Sequence, residues 1–519
     1  MSINSNHNFL AFGHEIDNSR DWLQSRIFGV CGYSAKILLD RMVQRLIEIG
    51  LAPYAAIVKA RCKTTENCFP VPGSWIKCDR ASIEIGTGRV TISFLQLFAN
   101  LCDFFLHWSF CLGAIIFTGK VAGNNQPAVL VFGVGTESLF VDESDERFVT
   151  YCRLGPITPL RNGKRFFVQS SPKKGLATHA EFIYCARPLI ALLRGTQIGF
   201  FGRLGLVANH VLLLLGYVTS TFRLPALSLL GRDFAYSAIS FDLDRRGLLA
   251  EIVLTSSNHH SQPLWVRGLQ HATTHLVWYS QSFKSIIYAS DNVESDIPSA
   301  RWMRVDKHWV WTYALAQYLE TLVHNVAIEV VDPIVWQMPE INVAAKNAIE
   351  IVIFDNPAFK NEVAIAYGEI TNYYHPDNLF PFIRDVISLK AEIEKTFRLP
   401  VSFKLKTKRA YHADYDRAYF DYLEKLDSSG IISLEHHSTN IYSLISGSHL
   451  VIVYPFSSPA YIADYLDIPS IYYDPTNSIV EHHFGDMPSL ITFSNSPEAL
   501  RDAAISALSK LFLNETIAH

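Results

Sequence analysis

The chain has 519 residues, 49% hydrophobic and 18% charged, with a formal net charge of −4 at pH 7. That length exceeds what one compact core supports and implies two or three domains. The charge balance excludes a nucleic-acid binder, which carries a basic excess. Mean hydropathy is +0.13 and aromatics reach 13%, slightly greasy for a freely soluble protein and consistent with proximity to lipid. The eight cysteines (Cys31, Cys62, Cys68, Cys78, Cys102, Cys111, Cys152 and Cys185) contain no C-x-x-C spacing. Without a signal-peptide pattern at the start, the expectation is reduced thiols in a cytoplasmic protein.

Residues 1–126 read as an N-terminal helical, membrane-proximal region. Helical spacing runs through Ile37, Leu38, Leu39, Met42, Leu46 and Ile47. Residues 92–118 have the length of a bilayer span but carry Asp103 and His107. Residues 199–222 are interrupted by Arg203, Asn209 and His210. These interruptions favour core or interfacial helices over true spans, and the expectation is peripheral membrane attachment at the cytoplasmic face.

From 127 to 335 short apolar runs alternate with helical stretches. The runs are PAVLVFGVG (127–135), FFVQ (166–169), EIVLTS (251–256), HLVWYS (275–280) and SIIYAS (285–290). Helices are expected over 181–195, 225–249 and 308–328. A second alternation fills 336–519: AIEIVIFD (348–355), AIAYGE (364–369), VSFKLK (401–406), IISLE (431–435), HLVIVYP (449–455) and SIYYD (470–474). Helices are expected there over 379–396, 414–426 and 497–514. The fold class is α/β, with two Rossmann-like domains in tandem behind the helical region.

In open α/β sheets, ligands bind beyond the carboxyl ends of the strands. Ser457 and Ser458 follow HLVIVYP and open a helix, which suits phosphate; a plain serine cap explains them equally. Asp474 ends the next strand, where it meets a ribose or sugar or simply forms a turn. Lys404, Lys406 and Lys408 alternate onto one strand face, with Arg409 beside them, and the expectation is an anionic ligand at Lys406, Lys408 and Arg409. His375-Pro376 is a loop turn by itself. Together with the serine pair it resembles the His-Pro and double-hydroxyl elements of GT-B sialyltransferases, which hold a CMP donor.

In the first α/β unit, Gly133-Val134-Gly135 lacks the third glycine of a dinucleotide fingerprint. Glu137 follows that strand and is a candidate acid or base, and Asp233, with Arg232 beside it, is a second candidate carboxylate. Asn258, Gln262, Gln281 and His308 sit among aromatics, as a sugar site requires and as ordinary core packing also produces. His308 is expected at a helix start or in the cleft. No D-x-D metal motif stands out in a convincing strand-end context, so no metal or other cofactor is expected.

Several phrases together resemble a family of bacterial surface-carbohydrate (O-antigen or capsule) biosynthesis proteins: GVGTESLF, LLGRDFAY, TSSNHHSQPLW, HLVWYSQSFK, DKHWVWT, FKLKTKR and SSPAYIADYLDIPSIYYDPT. The plan is similar to the retaining β-Kdo transferases of lipopolysaccharide biosynthesis, GT-B enzymes that use CMP-Kdo. The resemblance implies two Rossmann-like domains facing a cleft, a nucleotide-sugar donor and a glycan or lipid-linked acceptor. It implies Glu137 as acid/base, Asp233 at the anomeric centre, and Ser457, Ser458 and Lys406 on the donor. Other polysaccharide assembly proteins are implied partners. A two-Rossmann sugar-nucleotide epimerase and a non-catalytic assembly scaffold are the alternatives.

Overall fold

The apolar runs become strands because both faces of each are covered, which is how parallel sheets bury near-continuous Val/Ile/Leu segments. The structure, a computed structural model, describes residues 31–42, 44–45, 82–85, 88–117, 126–139, 145–163, 165–170, 181–255, 262–279, 303–323, 326–344, 347–361, 373–479 and 489–517. The expected strands SIIYAS and AIAYGE lie outside the described residues.

A hairpin of β1 (Ser82–Ile85) and β2 (Gly88–Thr91) precedes the long helix α1 (Phe94–Ile116). The N-terminal α/β unit then runs β3 (Ala128–Phe132), α2 (Thr136–Leu139), α3 (Arg147–Leu154), α4 (Thr158–Asn162), β4 (Phe166–Gln169), β5 (Phe182–Cys185) and α5 (Pro188–Arg194). It continues with α6 (Phe200–Arg223), α7 (Gly231–Arg245), β6 (Leu249–Thr255), α8 (Leu264–Arg267), β7 (Thr273–Val277), β8 (Lys307–Val310), α9 (Tyr313–Leu322) and β9 (Ala327–Val330). Its strands are ordered β5-β4-β3-β6-β7-β8-β9, every neighbouring pair parallel.

The C-terminal unit comprises β10 (Ile349–Phe354), α10 (Pro376–Ser388), α11 (Lys390–Phe397), β11 (Val401–Lys406), α12 (Arg417–Ser428) and β12 (Ser433–Glu435). It closes with α13 (Ile441–Ser446), β13 (Leu450–Val453), α14 (Pro459–Tyr465), β14 (Ser470–Tyr473), β15 (Ile491–Ser494) and α15 (Pro497–Ile517). The order β12-β11-β10-β13-β14-β15 is again all parallel. Both sheets are doubly wound, with strand order reversing between β3 and β6 and between β10 and β13. The fold is GT-B-like, two Rossmann-like domains.

Three expected helices are corrected. The 181–195 stretch begins with β5, because Phe182 to Cys185 pairs with β4 before Pro188 starts the helix. The 225–249 stretch is a 3-10 turn, Pro225–Leu230, followed by α7 and the first residue of β6. The 308–328 stretch splits into the end of β8, then α9, then the start of β9.

One face of β10, with Val352 and Phe354, joins a core shared by both units; the other, with Ile351 and Ile353, packs under α10 and α12. Trp336, in the connector, enters the shared core against Phe148 and Tyr151 of α3. Tyr442 of α13 donates to the connector carbonyl of Pro333 at 2.8 Å. The helices α1 and α6 run antiparallel, Phe104 meeting Tyr217 and Trp108 stacking on His210, and both pack on α7.

Candidate active site

The reversal of strand order between β10 and β13 opens a crevice at the carboxyl edge of the C-terminal sheet. Asp355 and Asn356 leave β10 there, Lys406 ends β11, His437 and Ser438 follow β12, and Ser457 and Ser458 follow β13. Asp355 is buried: its Oδ1 accepts from the Lys408 amide at 3.0 Å and its Oδ2 from the Tyr419 hydroxyl at 2.9 Å. Burial raises its carboxyl to about 6; the Tyr419 hydroxyl, the Lys408 amide and the charges of Lys406 and Lys408 pull the other way. Lys406 is 8% exposed, and burial lowers its ammonium to about 8 while Asp355 supports the charge. Its Nζ donates to the His437 carbonyl at 2.7 Å. Lys408 Nζ donates to Asn356 Oδ1 at 2.9 Å from a more exposed position.

The opposite wall comes from the N-terminal unit. Arg147, at the start of α3, is clamped by Asp145 at 2.5 Å and donates from Nη1 to the Ser438 carbonyl at 3.4 Å. Its charge is felt by Lys406. Two cations from two domains thus converge on one crevice, with a buried carboxylate behind one of them. Such an arrangement neutralises a phosphate leaving group.

Other expected residues are distributed unevenly. Ser457 is buried, its Oγ donating to the Tyr454 carbonyl at 3.2 Å and its own carbonyl accepting from Tyr472 at 2.6 Å. Ser458 precedes α14, and its side chain makes no capping bond to that helix. His375 caps α10, its Nδ1 accepting from the Asp377 amide at 3.2 Å, and Arg409 is exposed beyond β11. Asp474 is fully committed to its loop, accepting from Tyr373, twice from Thr476, and from the amides of Ser478 and Ile479. Of the expected lysine face, Lys404 pairs with Glu350 at 3.0 Å on the strand instead of reaching the crevice.

In the N-terminal unit, Glu137 lies on α2, directly after β3 at the switch point, where Thr255 Oγ1 donates to the Gly133 carbonyl at 2.8 Å. Asp233 sits in the first turn of α7. Its partner is Arg41, at 2.7 Å, in place of the expected Arg232, and it also accepts from the Leu264 amide at 3.0 Å. Gln262 is buried and grips both backbone groups of Arg304. His308 is neither a helix cap nor a cleft residue: it lies inside β8, its Nδ1 accepting from Trp278 Nε1 at 2.9 Å. Burial lowers it to about 4, so it stays neutral. Asn258 and Gln281 lie outside the described residues. Among the described residues, no group of three or more His, Cys, Asp or Glu is placed to hold a metal ion.

Sequence reasoning passed over Asp355, Tyr419, Asn356 and Arg147. An acid immediately after the buried run IVIF was a readable signal for Asp355. Arg147 carried none, because its role depends on a contact between units.

The fold and crevice define a two-Rossmann-domain protein with a cationic site at the switch point of its C-terminal sheet. The chain belongs to the polysaccharide biosynthesis PFTS motif protein family, whose profile matches residues 216–503. Within that span, Pro455-Phe456-Ser457-Ser458, at the crevice, is one substitution from the letters of the family name. None of the curated proteins matches the chain. Among solved structures it is similar to the GtfA/B complex at 13% identity and TM-score 0.32, over 54% of this chain and 54% of that one. The chain thus spans about half the length of that relative. It is similar to sucrose-phosphate synthase from Thermosynechococcus elongatus at 14% identity and TM-score 0.38, covering 74% of this chain and 90% of that one. Similarity to the wall teichoic acid polymerase TagF is 9% in identity with TM-score 0.39, over 80% of this chain and 89% of that one.

Proposed function

We propose that the chain is a GT-B glycosyltransferase that moves a sugar from a nucleotide donor to a glycan or lipid-linked acceptor during surface polysaccharide assembly. The observation that carries this reading is the convergence of Lys406 and Arg147 on the switch-point crevice, with Asp355 buried behind Lys406. Glycosyl transfer develops negative charge on a departing phosphate, and fixed cations in a partly dehydrated site stabilise it. Lys406, Lys408, Arg409, Ser457 and Ser458 hold the donor in this reading. Two cations suit a donor with both a phosphate and a carboxylate, such as CMP-Kdo or a related ulosonic acid. Glu137, at the switch point of the other sheet, is the acid/base residue, and Asp233 supports that side of the cleft through Arg41 and the Leu264 amide. Transfer is metal-independent, and the enzyme works in the cytoplasm at the inner face of the membrane, beside other assembly proteins.

The test is thermal stabilisation by a nucleotide panel. A ligand that binds only the folded state adds about 2.7 kcal/mol at a hundredfold excess over its dissociation constant. A melting shift with CMP or CDP that disappears in Lys406→Ala supports the ulosonic-acid donor. A shift with UDP, GDP or dTDP keeps the transferase and discards that donor. No shift with any nucleotide sinks the transferase reading and leaves the scaffold. Activity lost in EDTA and restored by manganese overturns metal independence.

A further inference from the structure

The helices α1 and α6 present an outward face that the sheet fold does not use. Of twenty-one large hydrophobics exposed among the described residues, fourteen fall between Phe94 and Phe117 or between Phe200 and Phe222. They include Leu106 at 68%, Phe201 at 84% and Leu212 at 63% exposure. Together they expose on the order of 1,000 Å², against the few hundred typical of a monomer's largest apolar patch.

Both histidines that interrupt the helices turn inward, while Asn209 and Asp103 remain exposed. His107 is buried against Tyr236, and His210 is buried under Trp108, with which it exchanges hydrogen bonds at 3.0 Å in both directions. Asp103, 54% exposed, stays beside His107. The outward face is a predominantly apolar stripe, with Asp103, Ser109, Asn209 and Thr219 among its exposed polar members.

Arginines surround it. The Arg187 guanidinium lies 3.9 Å from the ring of Phe110 on α1, Arg203 and Arg223 lie in the first and last turns of α6, and Arg232 and Arg245 are exposed on α7. Residues 92–117 and 186–246 contain seven arginines, no lysine, no glutamate and four aspartates. Asp233 and Asp242 are already paired with arginines, and Asp244 accepts the amides of Gln270, His271 and Ala272. The free charge around the stripe is therefore positive, which complements lipid phosphates.

The inner face fixes the orientation. α6 lies along α7, from Gly202 beside Arg246 to Tyr217 on Phe234, and α7 leads directly into β6 of the sheet. A pair of helices crossing the bilayer would take the acids of α7 with it. We propose that the α1–α6 pair docks in the plane of an anionic bilayer, its stripe among the acyl chains and its arginine rim on the headgroup phosphates. This surface argument does not need the sugar-transfer reading.

Vesicle flotation of the full chain tests it. The wild type is expected to float with phosphatidylglycerol vesicles and much less with phosphatidylcholine alone. Leu106→Glu/Leu212→Glu should stay behind at least tenfold more while melting at an unchanged temperature, and Arg223→Gln/Arg232→Gln should lose the anionic preference. Added cysteines at Gly199→Cys and Leu224→Cys, at opposite ends of α6 and read by peptide mapping apart from the eight native cysteines, should both react with an impermeant maleimide outside the vesicle. Protection of one end only means a span and overturns in-plane docking. A wild type that ignores both vesicle types, or that dimerises through this face in buffer without floating, overturns the bilayer as occupant.

Discussion

At the switch point of the C-terminal sheet, Asp355 and Lys406 are buried in ionisable form and Arg147 reaches in from outside. At that of the N-terminal sheet, Gly133 and Thr255 meet through one neutral hydrogen bond. In the N-terminal unit, ion pairs fasten α7, with Arg41 holding Asp233 at 2.7 Å and Arg246 holding Asp242 at 2.6 Å. The same winding thus serves two ends. Among the described residues, one sheet buries charge at its switch point, whereas the other places Glu137 on the helix after its switch-point strand and uses ion pairs to fasten helices.

The largest effect expected on breaking this contrast comes from Asp355→Ala. It leaves the Lys408 amide and the Tyr419 hydroxyl without their buried acceptor, removes the charge that supports Lys406, and should cost about 3–5 kcal/mol in urea unfolding. In the N-terminal unit, Asp233→Asn should cost about 2 kcal/mol, from a weakened bond to Arg41. If transfer activity vanishes while stability holds, Asp233 belongs to the chemistry and the contrast fails.

Titration sharpens the comparison further. The folded state holds Asp355 at about 6, above the usual carboxylate value of 3.8. Between those values it keeps a proton that the unfolded chain has lost, so raising pH through this window weakens the folded state. Lys406 is held at about 8, below the usual 10.5, so the unfolded chain keeps the extra proton there and stability returns as pH rises. The cluster is therefore least favourable between about pH 6 and 8. Urea midpoints at pH 5 and 7 should fall more in wild type than in Asp355→Asn. The smallest effect belongs to Lys404→Ala, which breaks a half-exposed pair with Glu350: under about 1 kcal/mol, with nucleotide binding unchanged.

The sheets were legible because buried parallel strands are short, apolar and bounded by turn residues, as in AVLVF and LVIV. Lys406, Ser457 and Ser458 were legible as strand-end residues. Strand–helix boundaries inside 181–195 and 308–328 were not, since four-residue runs such as FIYC and KHWV read equally as the start of a helix. Side-chain occupancy was equally hidden. Nothing in the spacing showed that Gln262 grips Arg304, that Asp474 serves its own loop, or that Arg41 reaches Asp233 across 192 positions.

The shared core between the units carries a consequence for cooperativity. Val352, Phe354 and Trp336 are buried together with Val131, Phe148 and Trp309 in one apolar cluster. Neither half can unfold without stripping the other's interior of its cover. Calorimetry should therefore record one transition for the pair, and the C-terminal half produced alone should aggregate through the surface that Val131, Phe148 and Trp309 would have sealed.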